Sequence, residues 1–127
     1  MKRLTNLTVL VVEDVLLHAT DLSMGIEDEG GQIVGPAMSV KTAMQLLERG
    51  VPDLAILDVQ LEDAEVFPVA DFLKDAAVPF VFYTSRSSSG QERAKEYGVP
   101  IINKAFSANE AIDALCGLMR EQAFVPN

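Results

Sequence analysis

The sequence predicts an α/β domain, a parallel β-sheet with helices packed on both of its faces. Short apolar runs of strand length carry the first part of this expectation: Val9-Leu10-Val11-Val12, Leu54-Ala55-Ile56-Leu57, Phe80-Val81-Phe82-Tyr83 and Ile101-Ile102. None of them alternates with polar residues, which is how strands buried on both faces read. Between the runs lie stretches whose apolar residues recur at helical spacing. Strands alternating with helices imply a parallel sheet joined by right-handed crossovers. The third observation is that each run stops at residues capable of chemistry: Glu13-Asp14, Asp58, Thr84 and Lys104. In open α/β sheets, ligands gather at the carboxyl ends of the strands.

Taken in order, Thr8–Val12 reads as the first buried strand. After Asp14, the residues Val15, Ala19, Leu22 and Ile26 fall on one helical face, and Glu29-Gly30-Gly31 stops that helix. Gln32-Ile33-Val34 is a short second strand closed by Gly35-Pro36. Ser39 suits the N-cap of a second helix carrying Val40, Ala43, Met44 and Leu47 on its face. Gly50-Val51-Pro52 leads into the central strand Leu54–Leu57, and residues 59–64 form the loop after Asp58.

Pro68 fits the first turn of a third helix, where its missing N–H costs nothing. Val69, Phe72, Leu73 and Ala76 supply that helix with a buried face. Val78-Pro79 introduces the fourth strand, Phe80–Thr84, and residues 85–90 form a polar loop. The helix after the loop is weak, with Ala94 and Tyr97 alone able to face a core, and should be the least stable element. Gly98-Val99-Pro100 leads to the fifth strand, Ile101–Asn103. Ser107 and Glu110 form an S-x-x-E capping box ahead of an apolar stripe of Ala108, Ala111, Ile112, Leu115 and Met119.

A chain of 127 residues suits one domain, residues 1–127, with no internal repeat and no linker. At 49% hydrophobic and 23% charged it is globular rather than disordered. Ten Lys and Arg against 19 Asp and Glu leave a net charge of -9, which repels nucleic acid and anionic membrane. The single Cys116 excludes an internal disulfide and reads as a buried, inert thiol. No apolar stretch approaches the ~20 residues of a membrane span. Met1-Lys2-Arg3 resembles the start of a signal peptide, but Thr5, Asn6, Glu13 and Asp14 interrupt any apolar region behind it. The expected location is the cytoplasm.

If the strand ends meet along one edge, Glu13, Asp14, Asp58, Thr84 and Lys104 come together. Asp58 alone reads as well as the cap of a turn; the company it keeps argues for more. Clustered carboxylates repel one another unless a cation neutralises them, and hard oxygen ligands suit Mg²⁺. Lys104 offers a point charge for a phosphoryl oxygen and Thr84 a directional donor. A carboxylate can attack phosphorus to give an acyl phosphate, with the cations spreading the charge that develops. His18 has no second His or Cys beside it in the sequence and reads as a partly exposed helix residue. The methionines read as core filler, and Glu27-Asp28-Glu29 as a solvated helix end.

With these residues in place, the chain resembles the receiver domain of bacterial two-component response regulators over nearly its whole length. The resemblance rests on Val11-Val12-Glu13-Asp14, Leu57-Asp58, Thr84-Ser85 and Lys104, in order and at the family's spacings. It implies a flavodoxin-like, doubly wound five-stranded sheet in the order 2-1-3-4-5. It implies that Asp58 is the phosphoacceptor, that Asp14 binds Mg²⁺ directly and Glu13 through water, and that the backbone carbonyl of Gln60 is a further metal ligand. Thr84 and Lys104 would bind the phosphoryl group. The donor would be a histidine kinase or a histidine phosphotransfer protein. Such a chain is a phosphoacceptor with self-catalysed phosphotransfer and dephosphorylation, not a turnover enzyme.

The stretch Val78-Pro79-Phe80-Val81-Phe82-Tyr83-Thr84 further resembles a stand-alone receiver subgroup with a Pro-Phe-x-Phe-Ala-Thr motif, although Tyr83 replaces its Ala and Ser85-Arg86 its Gly-Tyr. A stand-alone receiver would signal by protein contact, through the fourth helix, fifth strand and fifth helix, or act as a phosphate sink. Gln60 and Arg86, flanking the path of the attacking water, would set the lifetime of the phosphorylated state.

Two departures touch the signalling route. Ala105 follows Lys104 where the family has proline, and Ile101 stands where it has a switching aromatic. A cis bond before alanine costs about 2.5–4 kcal/mol, so the Lys104-Ala105 bond is expected to be trans, with the Ala105-Phe106 loop displaced. These departures sustain one alternative, a degenerate receiver that binds partners without phosphorylation. An aspartate-nucleophile phosphatase or dehalogenase would be a second, but the phosphatases use an Asp-x-Asp pair and Gln60 occupies the second position. A flavin carrier lacks its phosphate cradle after the first strand.

Overall fold

The computed structural model describes residues 2–85, 90–105 and 107–123. Its elements follow in strict alternation: β1 (Thr8–Val12), α1 (Leu16–Asp28), β2 (Gln32–Ala37), α2 (Val40–Arg49), β3 (Leu54–Leu57), α3 (Phe67–Asp75), β4 (Phe80–Thr84), α4 (Gln91–Lys95), β5 (Ile101–Asn103) and α5 (Ala108–Ala123). The strands form one parallel sheet in the order β2-β1-β3-β4-β5. This is the doubly wound α/β architecture expected.

The unbroken apolar strands have a simple cause. Successive side chains of a strand point to opposite faces, and here both faces are covered. Leu10, Val12, Ala55, Leu57, Phe80 and Phe82 pack against α2 and α3 on one side. Their neighbours Val9, Val11, Leu54, Ile56, Val81 and Tyr83 pack against α1 and α5 on the other.

Register is what builds the site. Val12 pairs with Leu57, Leu57 with Phe82, and Thr84 with Asn103. The ladder runs one residue past the strands: the Asp58 N–H donates to the Val12 carbonyl at 2.8 Å and the Lys104 N–H to the Thr84 carbonyl at 2.9 Å. The Glu13 N–H donates to the Ala37 carbonyl at 2.9 Å. These bonds hold the strand ends level.

Three local expectations are corrected. Val15 is the N-cap of α1 in extended conformation and lies 43% exposed, leaving Ala19, Leu22 and Ile26 as the buried face. The strand β2 does not close at Gly35-Pro36 but runs through it to Ala37. An edge strand tolerates proline because the missing N–H needs no partner, and the register with β1 shifts between Leu10 and Val12 to fit. Gly35 has a φ of 98° there, and an added Cβ would lie 2.6 Å from the Ala37 nitrogen, so this position suits glycine alone. Ala76 is exposed at the C-cap of α3, whose buried face is Phe67, Val69, Ala70 and Leu73.

The weak helix is short as expected, with Ala94 its buried residue. Tyr97, just beyond it, stacks on Phe67 at 5.7 Å and donates its hydroxyl hydrogen to Asp71 Oδ1 at 2.6 Å. The helix α5 starts after Ser107, with the Glu110 N–H donating to the Ser107 carbonyl at 3.0 Å. Cys116 is buried, and burial pushes its thiol up. Among the described residues the cis peptide is Gly35–Pro36, so the Lys104–Ala105 bond is trans. No helix among the described residues is long and apolar enough to cross a membrane.

Candidate functional site

The carboxyl edge of the sheet gathers the residues singled out from the sequence. Glu13 is fully buried; its Oε2 accepts the Val15 N–H at 3.0 Å and its Oε1 lies 2.7 Å from Lys104 Nζ. Asp58, 5% exposed, accepts from the same ammonium at Oδ2, at 2.8 Å. Asp14 is half-buried beside them, and oxygens of Glu13, Asp14 and Asp58 lie within 4.8 Å of one another.

The electrostatics follow from burial and proximity. Burial pushes the Glu13 carboxyl up to about 7; the Lys104 hydrogen bond opposes this and the Asp58 charge adds to it. Burial also works against the Lys104 ammonium, but Asp58 and Glu13 outweigh it and hold the group above its ordinary value. One ammonium against three carboxylates leaves an excess of negative charge in a partly desolvated space.

Thr84 is fully buried at the end of β4, and its Oγ1 has no hydrogen-bond partner among the described residues. Buried hydroxyls are nearly always satisfied, so this one, at the end of the strand beside β3, is a donor still to be matched among the described residues. A set of hard carboxylate oxygens around one point, with a donor left over, fits an incompletely caged Mg²⁺ and a ligand oxygen.

Gln60 lies in a tight excursion after β3. The Val66 N–H donates to the Val59 carbonyl at 2.9 Å, Leu61 N–H to Ala64 carbonyl at 3.1 Å, and Gln60 bridges Glu65 in antiparallel sense. Val59, Leu61 and Val66 are buried, which anchors the excursion to the core. Arg86 and Phe106 lie outside the described residues.

Two neighbours were not read as site residues from the sequence. His18 Nδ1 stands 3.8 Å from Glu13 Oε1, and its ring meets Tyr83 edge-on at 6.3 Å. The hint was available, since His18 falls within the first turn of a helix that starts just after Asp14. Asp63 is the other; nothing in its spacing signals its hydrogen bonds to α2, because the helix precedes it by more than 20 residues. Beside Lys104 an open cavity of about 430 Å³ is lined by Leu17, His18, Asp21, Tyr83 and Asn109.

Comparison with known proteins gives a consistent result. Residues 9–116 match the response regulator receiver domain family. The transcriptional regulatory protein PdtaR of Mycobacterium tuberculosis is 33% identical over 110 residues, covering 84% of this chain and 54% of PdtaR. The chain spans about half the length of the curated relatives it matches. Among solved structures, the receiver domain of a Francisella response regulator superposes with a TM-score of 0.76 at 20% identity, covering 92% of this chain and 99% of that one. The anti-anti-sigma factor PhyR from Bartonella quintana superposes with a TM-score of 0.67 at 27% identity, covering 92% and 49% respectively.

Proposed function

The chain belongs to the response regulator receiver domain family, and on that premise we propose that it takes a phosphoryl group from a phosphohistidine onto Asp58. The observation that carries this reading is the acidic cluster closed by Lys104, with the unmet Thr84 hydroxyl beside it. The donor is a histidine kinase or a histidine phosphotransfer protein.

An Asp58 carboxylate oxygen attacks phosphorus, an O–P bond forms, and the P–N bond breaks with its electron pair passing to the donor imidazole. Lys104, 2.8 Å from Asp58 Oδ2 at rest, moves its ammonium onto a phosphoryl oxygen. Thr84 Oγ1 donates to a second phosphoryl oxygen, satisfying a donor that has no partner among the described residues. Glu13, Asp14, Asp58 and the Gln60 carbonyl are the residues that would hold Mg²⁺. When bound, Mg²⁺ offsets carboxylate repulsion and the negative charge of the transferring group. Each phosphoryl group uses up one Asp58, so the chain is a phosphoacceptor with self-catalysed dephosphorylation.

The phosphorylated state would act by protein contact through α4, β5 and α5, or serve as a phosphate sink. A second reading, a phosphorylation-independent binding module, is favoured by Ile101 and Ala105. Mass measurement after acetyl phosphate and Mg²⁺ separates the two. One phosphoryl group added to the native chain and none to Asp58→Asn is expected. No addition to the native chain, or equal addition to both, would overturn the proposal.

A further inference from the structure

We infer that Asp63 is a positioning residue for the metal-binding loop, holding the Gln60 carbonyl in place by clamping the loop to the start of α2. The inference rests on the reading that Glu13, Asp14, Asp58 and Gln60 bind Mg²⁺. The loop from Val59 to Val66 folds back on itself through the Val59–Val66 and Leu61–Ala64 bonds, with Asp63 near its tip. From there its carboxylate reaches across to another element: Oδ1 accepts the Val40 N–H at 3.0 Å and Oδ2 the Lys41 N–H at 3.2 Å.

The helix has its own cap as well. Ser39 Oγ accepts the Thr42 N–H at 3.1 Å, so the free donors of the first turn are divided between a residue of the helix and a residue of the loop. The two bonds also hold the Asp63 carboxyl below its ordinary range, the Val40 bond foremost. A residue needed only to cap α2 could come from the helix itself, as Ser39 does. The part that Asp63 alone plays is to tie the loop bearing Gln60 to a packed element. A backbone carbonyl has no rotamer of its own to adjust, so its aim at a cation depends on the loop. Outer partners that orient a metal ligand typically matter by about 10–100-fold in affinity.

The two capping residues make the test selective. Both Asp63→Ala and Ser39→Ala should lower the melting temperature by weakening the same helix end. Mg²⁺ affinity, measured by calorimetry on the full chain well below melting, should fall about tenfold in Asp63→Ala and stay unchanged in Ser39→Ala. Asp63→Asn retains one acceptor oxygen and should fall between; it also serves if Asp63→Ala does not fold. Parent-like affinity in the Asp63 variants, or an equal loss in Ser39→Ala, would overturn the positioning role alone. No Mg²⁺ binding by the parent chain would overturn the metal-site reading and this inference with it.

Discussion

At the scale of single residues, the site is less comfortable than the core around it. Thr84 Oγ1 is buried with no partner among the described residues, and a buried polar atom left unpaired costs about 1–3 kcal/mol. Valine has nearly the same shape and no such donor. Thr84→Val should therefore raise the stability of the unphosphorylated protein by about 1 kcal/mol while slowing phosphorylation by acetyl phosphate. Thermal melting and mass measurement check the two halves; a Thr84→Val protein that melts below the parent would show that the hydroxyl is satisfied at rest. Glu13 expresses the same tension, since burial raises its carboxyl to about 7 and Lys104 holds part of that rise in check.

At the scale of elements, α4 contrasts with its neighbours. It has five residues, begins at Gly90 with a φ of 86°, and buries Ala94. Tyr97 supplies the anchorage the helix lacks, with its ring between Phe67, Phe80 and Phe82 and its hydroxyl on Asp71. Burial and the Asp71 hydrogen bond push the Tyr97 phenol up to about 12. A folded value above the unfolded one means the contribution is complete below about pH 10 and is lost as the pH rises through about 12. Alkaline absorbance titration should show Tyr97 ionising well above an ordinary tyrosine, and Asp71→Asn should bring it down. Ionisation near pH 10 in the native protein would mean that Tyr97 is not held against α3 in solution.

At the scale of the whole molecule, parallel register brings carboxylates to one edge of a chain whose net charge is already -9. A cation bound there and not in the unfolded chain stabilises the fold by mass action. Mg²⁺ at a hundredfold over its dissociation constant should add about 2.7 kcal/mol to the unfolding free energy, and Asp14→Asn should lose most of it. Denaturant unfolding with and without Mg²⁺, at ionic strength matched by NaCl, measures this. An equal gain in both proteins would assign the effect to general screening of the acidic surface.

The sequence by itself determined the order of the elements, the buried strands, and Glu13, Asp14, Asp58, Thr84 and Lys104 as members of one edge. Those features are written in local period and in where apolar runs stop, and a parallel sheet turns strand ends into neighbours without further information. The ends of elements were less legible. Val15 and Ala76 keep the helical spacing but fall at the caps, where α1 has yet to start and α3 has stopped. Pro36 reads as a strand breaker until its strand proves to be an edge. Only the tertiary structure decided that His18 faces Glu13, that Tyr97 pins α4 to α3, and that Asp63 ties the loop after β3 to α2. The physical reason is range. The Tyr97 and Asp63 bonds join side chains to groups more than 20 residues away, and His18 meets Glu13 through the angle at which α1 leaves the sheet. No spacing within one element encodes either.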